Sequence, residues 1–534
     1  MKIFKIQIEN YRLLKNFSID LEDELSLVIG KNNTGKTSIL LVLDKFLNQS
    51  EKNKFHFDDF NIEFKNEIKQ LIDDEIINEA NYKAIGIKLK IFIQYTENCN
   101  LENVSRVMMD LDPENNYIVL GFEYLLDYQK YTNLRKDYRE FSANEAGKQT
   151  LDAEYKQKTF YEFLKQNMPN YFTLHKKSFE VNKETAEVNE LKSINLDKES
   201  INIKDIINFK YISAKREVAN KEANKTLSAQ TSDIYEKTEI NSEQNQAINK
   251  FKDQLTETDN NLSSIYSDLF QEIIKKVGDF GGIKPNESAI RIISTLQHRE
   301  LLKGNTTVVY RHDEDNELPE HYNGLGYMNL ICMIFEIEIL VQEFKREKEK
   351  KLSDINLLFI EEPEAHTHPQ MQYVFIKNIK NLLQEGIKRT DGENRKLQYI
   401  ISTHSSHIVA DSDFNDIKHL KKIASNSVIA KSLRELEQEY KGNGQERNFR
   451  FLKQYLTLNR AELFFAEKAI FIEGDTERIL LPAMMKKIDN QFPNSPLLSQ
   501  NISIVEVGNY ANVFERFINF VGTKSLIILY SVID

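Results

Sequence analysis

The chain has little cysteine and no long apolar segment, and each shortage excludes a class of protein. Its 534 residues include only two cysteines, Cys99 and Cys332. Two thiols cannot build a disulfide framework or a cysteine-based zinc site, which favours a reducing cytoplasm as the location. The sequence has no run of about eighteen apolar residues, so no transmembrane helix is expected. The amino terminus also lacks the apolar core of a signal peptide.

The chain also has no excess of positive charge, because 82 acidic residues outnumber 71 lysines and arginines. The formal net charge is −11 at pH 7, whereas a protein that coats nucleic acid by bulk attraction carries an excess of basic residues. A local basic groove remains compatible with this balance, because local fields can oppose the global sign. Hydrophobic residues make up 40% of the chain, which is enough for packed cores, and the length corresponds to about three or four domains.

The most specific feature that is present is a phosphate loop. Residues 30–37 fit the pattern G-x-x-x-x-G-K-[ST], between an apolar run at 25–29 that predicts a strand and a helical pattern that follows. Lys36 is expected to reach the β- and γ-phosphates, and the Thr37 hydroxyl to ligate Mg²⁺. The pattern predicts a site for ATP or GTP. The predicted nucleotide-binding residues are Gly30, Lys31, Asn32, Asn33, Thr34, Gly35, Lys36, Thr37 and Ser38.

Two later strands end in residues that suit nucleotide hydrolysis. The apolar run 357–360 leads into Glu361 and Glu362, where the first acid is expected to hold Mg²⁺ and the second to act as general base on the attacking water. Adjacent carboxylates repel each other, and a cation offsets that cost. Another apolar run ends before His404, which is predicted to sense the γ-phosphate.

The chain also divides into segments of different composition. We predict an ATPase amino-terminal lobe at 1–125, a mostly helical insertion at 126–290, an ATPase carboxyl-terminal lobe at 291–415, a linker at 416–460 and a further α/β domain at 461–534. Apolar residues from Ile248 to Ile265 recur at helical spacing. Two interpretations of the insertion stay open: a solvated helical segment that packs on itself, and a dimerisation arm.

These motifs together resemble the ATP-binding-cassette ATPases, in the branch that maintains and repairs chromosomes. The resemblance implies that Asn323, Gly324 and Gly326 form the signature loop, and that Gln94 is the Q-loop residue. Such ATPases close two nucleotide sites between two heads, so a homodimer or a higher even oligomer is implied. Repair ATPases of the double-strand-break type carry a much longer coiled coil than this insertion allows.

A second acidic motif lies near the end of the chain. A strand predicted at 469–472 is followed by Glu473 and Gly474, and Glu477 comes four residues after Glu473. This resembles the opening of a Toprim domain, the metal-dependent fold of topoisomerases, primases and certain nucleases. An ATPase head followed by Toprim resembles the overcoming-lysogenization-defect (OLD) family of ATP-powered nucleases and the Gabija nuclease-ATPase. That resemblance implies divalent metal, Mg²⁺ or Mn²⁺, held by the Toprim acids, and cleavage of DNA.

The Toprim pattern departs from the family at its second acidic element. The family pattern has an Asp-x-Asp pair after the next apolar strand, but here that strand runs into Asp534, and position 532 is valine. We therefore predict a partial Toprim domain, with Asp534 as a catalytic and metal-binding residue beside Glu473 and Glu477.

The predicted fold class is α/β: an ABC-type ATPase head split by a helical insertion, followed by a partial Toprim α/β domain. The predicted function is ATP hydrolysis coupled to metal-dependent cleavage of DNA, most simply double-stranded, in anti-phage defence. A partner protein or RNA of a defence system is part of this prediction, and a membrane is not. The alternative is a nucleotide-dependent dimeric sensor or clamp that regulates a partner without cutting nucleic acid.

Overall fold

The computed structural model describes two compact units. Unit 1 comprises Met1–Ala214, Ser353–Gln384 and Arg395–Asp534, and unit 2 comprises Lys215–Leu352 and Glu385–Asn394. The residues that the structure describes are 1–49, 54–75, 77–110, 112, 115–152, 154–182, 187–214, 230–231, 233–234, 237, 246–269, 271, 309–311, 317–319, 325–345, 352–365, 367–386, 397–458 and 460–527.

The strands are numbered in chain order. They are β1 (Lys2–Tyr11), β2 (Leu14–Asp20), β3 (Leu25–Gly30), β4 (Ile85–Gln94), β5 (Tyr117–Leu126), β6 (Phe172–Val181), β7 (Val188–Asn195), β8 (Ile207–Ile212), β9 (Val309–Arg311), β10 (Glu317–Pro319), β11 (Ile355–Glu361), β12 (Leu397–Thr403), β13 (Ile417–Ala424), β14 (Ser427–Ser432), β15 (Lys468–Ile472), β16 (Ile502–Glu506) and β17 (Lys524–Ile527).

The helices follow the same order. They are α1 (Lys36–Leu47), α2 (Ile62–Asp73), α3 (Tyr128–Leu151), α4 (Phe160–Asn167), α5 (Ile203–Ile206), α6 (Gln246–Leu269), α7 (Leu325–Lys345), α8 (Pro369–Gly386), α9 (Ser406–Ala410), α10 (Leu433–Lys441), α11 (Glu446–Leu458), α12 (Asp475–Gln491) and α13 (Glu515–Val521). None of the helices described here is both long and apolar enough to cross a bilayer.

The nucleotide-binding part of unit 1 is built on a mostly parallel sheet of order β14-β13-β3-β12-β11-β8, in which only the β13–β14 pair is antiparallel. Every residue of β3, β11 and β12 is buried. A central parallel strand is covered on both faces, which explains why the sequences of these strands are mostly apolar and do not alternate with polar residues. The carboxyl ends of β3, β11 and β12 meet at one edge, where their polar residues come together.

A second sheet, of order β2-β1-β4-β5-β6-β7, is antiparallel throughout. One buried amide ties it to the parallel sheet: the side chain of Gln398, on β12, accepts from Ile3 N at 2.6 Å and donates to Ile3 O at 2.8 Å. The same side chain donates to Glu22 O at 2.9 Å. Three hydrogen bonds satisfy a side chain that is 3% exposed, as burial of an amide demands.

The third sheet of unit 1 is small and parallel, with order β16-β15-β17. Helix α12 follows β15, and α13 precedes β17, so strands and helices alternate as a parallel sheet requires. This α/β arrangement lies where the sequence predicts a separate domain after residue 460.

Unit 2 contains α6, α7 and the antiparallel pair β9–β10. The helix predicted from the apolar spacing between Ile248 and Ile265 is present as α6. Helix α7 carries the apolar stretch after the predicted signature loop, and it buries Met333, Ile337 and Val341.

Two predicted boundaries differ from the structure. The mostly helical insertion was expected at 126–290, but β6, β7 and β8 within that range belong to the sheets of unit 1, and unit 2 begins at Lys215. Strand β7 is an edge strand with several exposed residues, so its sequence lacks the apolar signal of a core strand.

The linker expected at 416–460 is folded instead. Strands β13 and β14 extend the parallel sheet beside β3, and α10 and α11 follow them. Ile417, Leu420 and Leu436 in this segment are buried. The many charged residues between these apolar ones concealed the pattern, because only one face of each element is covered.

Candidate functional site

The phosphate loop connects β3 to α1 and depends on glycine at two positions. A Cβ on Gly30 would lie 2.8 Å from Thr34 Oγ1 and 2.9 Å from Leu420 O, which leaves no room for a side chain. Gly35 precedes α1 with φ +90°, in the left-handed region that glycine adopts at little cost. The loop therefore holds its backbone in a tight turn directly before a helix N-terminus, the arrangement that binds phosphate.

Lys36, the first residue of α1, is buried inside this loop. Its Nζ donates to Gly30 O at 2.8 Å and to Lys31 O at 3.1 Å. Burial lowers the Lys36 pKa to about 8, and the negative charges of Glu362, Glu364 and Glu361 oppose that shift. The cation is thus held in position by backbone carbonyls and faces a group of carboxylates.

The two predicted acids lie at the carboxyl end of β11 and have different surroundings. Glu361 is 6% exposed, and its Oε2 accepts from Ala214 N at 3.2 Å. Glu362 is half-buried and lies in a cavity described below; its backbone N–H donates to Ser402 O at 2.9 Å. Glu362 also has φ +42°, a conformation that costs a non-glycine residue about 1–3 kcal/mol and is often found at functional sites.

His404 follows β12 and lies beside Glu362. Its Nε2 is 3.5 Å from Glu362 Oε1. Burial, and then the positive charge of Lys36, lowers the His404 pKa to about 4. The imidazole is therefore neutral at pH 7, so it can donate or accept a hydrogen bond at a phosphate without changing the charge of the site.

These residues line one cavity of about 510 Å³, a size within the usual range for ligand sites. The phosphate-loop stretch 32–38, Glu362 and His404 all contribute to its wall. The structure therefore brings Glu362 and His404 to the phosphate loop, which precedes both of them by more than three hundred positions in sequence.

Arg12 and Leu13 also line this cavity and were not predicted from the sequence. Arg12 occupies the turn between β1 and β2 with φ +49°. Its guanidinium donates to Asp59 Oδ1 from Nη2 at 2.9 Å and from Nε at 3.1 Å. Burial tends to raise the Asp59 pKa, but the His56 N–H, Lys45 and Arg12 outweigh burial and hold that pKa low. No local motif marks Arg12, because its function depends on tertiary placement.

Glu364 is a second unpredicted residue of the site. Its Oε1 accepts from His404 N at 2.6 Å, so it ties the turn after β11 to the turn after β12. Burial raises the Glu364 pKa, although hydrogen bonds from His404 and Thr403 oppose that rise. The repeated acids of the segment Glu-Glu-Pro-Glu were the available signal for this residue.

Other predicted nucleotide-site residues are not brought to this cavity by the described part of the chain. Gln94 is the last residue of β4 and pairs with Lys2 and Tyr117; it does not appear in the cavity wall. Gly326, expected in the signature loop, lies in the first turn of α7 in unit 2. Asn323 and Gly324 lie outside the described residues.

The Toprim acids gather at the carboxyl edge of the small parallel sheet. Glu473 and Gly474 follow β15 directly, and Glu477 is in the first turn of α12. Glu477 Oε2 accepts from Gly474 N at 3.0 Å, which caps that helix. Glu506 ends β16 and pairs with Ile472, the residue before Glu473. It was not predicted, because only the strand pairing shows that it lies at the same edge.

Asp534, the remaining predicted Toprim acid, lies outside the described residues. Within the described ranges, no group of three or more histidine, cysteine, aspartate or glutamate side chains is arranged to hold a metal ion. Glu473 and Glu477 thus lie at one sheet edge, whereas the acids facing Lys36 are of a type that suits a divalent cation bound with a triphosphate.

Comparison with known proteins assigns a family to each of two parts of the chain. Residues 1–409 match the family described as AAA ATPase domain, and residues 464–529 match the overcoming lysogenization defect protein-like TOPRIM domain. Endonuclease GajA of Bacillus cereus (strain HuB5-5) is 27% identical over 542 residues, which cover 96% of this chain and 71% of GajA.

More distant similarity extends to two further proteins. The Old nuclease of Escherichia phage P2 is 25% identical over 307 residues, or 57% of this chain and 48% of that protein. The SMC head domain from Thermotoga maritima superposes with a TM-score of 0.33 and 8% identity, over 81% of this chain and 99% of that one. The resemblance predicted from the motifs is confirmed: the chain belongs to the AAA ATPase domain family and continues into an OLD-like TOPRIM domain.

Proposed function

We propose that this protein hydrolyses ATP and cleaves DNA with divalent metal, as an effector of anti-phage defence. The observation that carries the proposal is the presence of two acidic strand edges in one unit, one facing a phosphate loop and one opening a TOPRIM domain. The names of the relatives, Endonuclease GajA and Old nuclease, support nucleic acid as the substrate class, and DNA is our proposal within it.

At the ATP site, each residue has a role that its position supports. The loop N–H groups and Lys36 bind the phosphates, and Arg12 adds a second positive charge at the cavity wall. Mg²⁺ would be held by Thr37 and Glu361 and would neutralise charge on the phosphates. Glu362 orients and deprotonates the attacking water, and neutral His404 contacts the γ-phosphate from the adjacent strand.

We further propose that two copies complete the site. The predicted signature residues Asn323, Gly324 and Gly326 precede or begin α7 in unit 2. A glycine-bearing helix N-terminus can bind a phosphate supplied by another chain. A homodimer or higher even oligomer in the cytoplasm, with double-stranded DNA as substrate, fits this arrangement, and a partner protein or RNA would supply the activating signal.

At the TOPRIM edge, Glu473 and Glu477 would hold Mg²⁺ or Mn²⁺ together with Asp534. Bound there, the metal would activate water for phosphodiester cleavage. Glu506, at the end of the neighbouring strand, is placed to contribute a further oxygen.

The test measures both activities on the same purified protein. ATP hydrolysis and cleavage of a linear DNA duplex are followed with Mg²⁺ or Mn²⁺, with and without ATP. We expect Lys36→Ala to abolish ATP binding and turnover, and Lys69→Ala to leave both unchanged, since Lys69 lies on the exposed surface and pairs with Asp73. Intact DNA in every condition would overturn the nuclease part and leave the ATPase part standing.

The second candidate function is a nucleotide-dependent dimeric sensor or clamp. Within the described ranges no group of three or more metal-ligating side chains forms, and the predicted third TOPRIM acid, Asp534, lies outside those ranges. Under this alternative the wild-type protein dimerises on ATP, retains a partner and leaves DNA intact with either metal.

A further inference from the structure

A second cavity, of about 320 Å³, adjoins the same phosphate loop. Lys31 and the loop stretch 32–34 form one wall, and residues 419–422 of β13 form another. Glu467, just before β15, and residues 521–522, just before β17, complete it. The cavity thus lies where the ATPase fold meets the TOPRIM fold, all within unit 1.

The cavity wall carries three lysines and one carboxylate, Glu467. Lys31, Lys421 and Lys422 line it, and none of the three forms an ion pair within 4.0 Å with a carboxylate that the structure describes. Glu467 is close enough to raise the Lys31 pKa, but burial and the Lys421 charge produce a net lowering. An anion that entered would relieve this accumulation of like charge.

The position of Lys421 is fixed by its surroundings. Its Nζ donates to Asn519 O at 2.7 Å. Gly522 has φ +76°, and a Cβ there would lie 2.6 Å from Lys421 Cε, so glycine makes room for the lysine stem. Beside it, His419 is 1% exposed, and its Nε2 lies 3.2 Å from Phe464 O. A wall this constrained resembles a preformed site more than a solvated surface.

We propose that this cavity binds a small phosphate-bearing anion, in the class of inorganic phosphate, pyrophosphate or a nucleoside monophosphate. Lysine ammonium groups bind phosphate as point charges. The dimensions suit one small ligand, and residues from four separate segments line it. This site is distinct from the ATP cavity, whose wall contains Lys36, Glu362 and His404.

The shared loop gives the second site a regulatory consequence. Residues 32–34 line both cavities, so a ligand in one contacts the loop that the other uses. The same ligand would also touch Glu467 and Gly522, next to two strands of the TOPRIM sheet. Any change that ATP causes in the affinity for the second anion is matched by an equal change in the reverse direction.

The experiment isolates the second site by removing the first. Binding of inorganic pyrophosphate to the full chain is measured by calorimetry in a Lys36→Ala background, and again in the wild-type chain saturated with ADP. We expect one pyrophosphate per chain in both. Adding Lys421→Gln should weaken binding about tenfold or more, since it removes a charge-assisted hydrogen bond to the anion.

Controls separate a lost contact from a damaged fold. Lys192→Gln removes an exposed lysine of β7 and should leave pyrophosphate binding unchanged. Lys422→Gln tests an exposed wall residue if Lys421→Gln lowers the unfolding temperature. Inorganic phosphate and AMP, titrated in parallel, distinguish a free anion from a nucleotide as the preferred source.

Three results would overturn the proposal. The first is no pyrophosphate binding once the ATP site is removed, and the second is equal affinity with and without the Lys421 and Lys422 substitutions. The third is displacement of pyrophosphate by a short DNA duplex but not by AMP or phosphate, which would make a nucleic-acid backbone the ligand.

Discussion

Two parallel-sheet edges in the same unit carry acids, but they are organised to different degrees. At the ATPase edge, Glu362, Glu364 and His404 are joined by short contacts and lie close to buried Lys36. At the TOPRIM edge, the described contact of Glu477 is with its own helix N-terminus. Hydrogen bonds between separate strands fix side chains before a ligand arrives, whereas a carboxylate that caps its own helix depends more on the ligand itself. The first edge is therefore preorganised by contacts between separate strands, a feature that the described contact of Glu477 does not share.

The largest expected effect tests the preorganised edge. Glu362→Gln removes the proposed base and should reduce kcat for ATP hydrolysis about 10²–10⁴-fold while ATP binding persists. Turnover by colorimetric phosphate release and binding by a fluorescent ATP analogue measure the two quantities. Glu67→Gln is the control, since that carboxylate pairs with Lys15 at a distance from the site. Equal loss of binding and turnover would contradict the assignment of Glu362 as a base.

At the other edge, Glu473→Gln should leave ATP hydrolysis unchanged and reduce metal-dependent DNA cleavage by about 100-fold or more, because even residues that only support metal ligands contribute about 10–100-fold. The matched control is Asp475→Asn, whose side chain is 82% exposed. Cleavage by Glu473→Gln at the wild-type rate would show that the TOPRIM edge does not act through this acid.

A smaller effect is expected at Arg12, and it tests whether the preorganised edge includes this residue. Arg12→Ala deletes a positive charge that Asp59 orients toward the ATP cavity, so KM for ATP should rise about tenfold with little change in kcat. Steady-state kinetics at several ATP concentrations separate the two constants. Arg12→Lys should recover part of the affinity, and a pure loss of stability without a KM change would argue for a structural role only.

The smallest effect on activity is expected at His419, which bears on acid stability. Burial lowers the pKa of His419 to about 4, so folding favours its neutral form. The unfolded chain then binds more protons between about pH 6.5 and 4, and the stability from this group is complete above pH 6.5 and falls as pH drops through that window, by on the order of 3 kcal/mol. His419→Gln should unfold with a weaker pH dependence in this range, as measured by thermal unfolding at pH 4.5 and 7. An unchanged pH dependence of unfolding would show that groups other than His419 cause the sensitivity to acid.

The sequence predicts a feature correctly when the residues that define it are neighbours in the chain. The strand, loop and helix around the phosphate loop, the strand that ends at Glu361 and the helix α6 depend on neighbours in the chain, and these elements lie where the sequence predicts them. Arg12 and Glu506 reach their sites only through strand pairing between distant segments, so no local pattern marks them. The folded segment at 416–460 was missed for a related reason: charged residues on its outer faces mask the buried ones.

The buried amide of Gln398 has a practical consequence for anyone who handles this protein. It holds Ile3, the third residue of the chain, with two hydrogen bonds at the junction of the two large sheets. A fluorescent label or purification tag fused at Met1 would therefore be attached to a rigid anchor. Such a label should report the orientation of the joined sheets faithfully, and Gln398→Glu, which puts an acceptor where Nε2 donates, should loosen it.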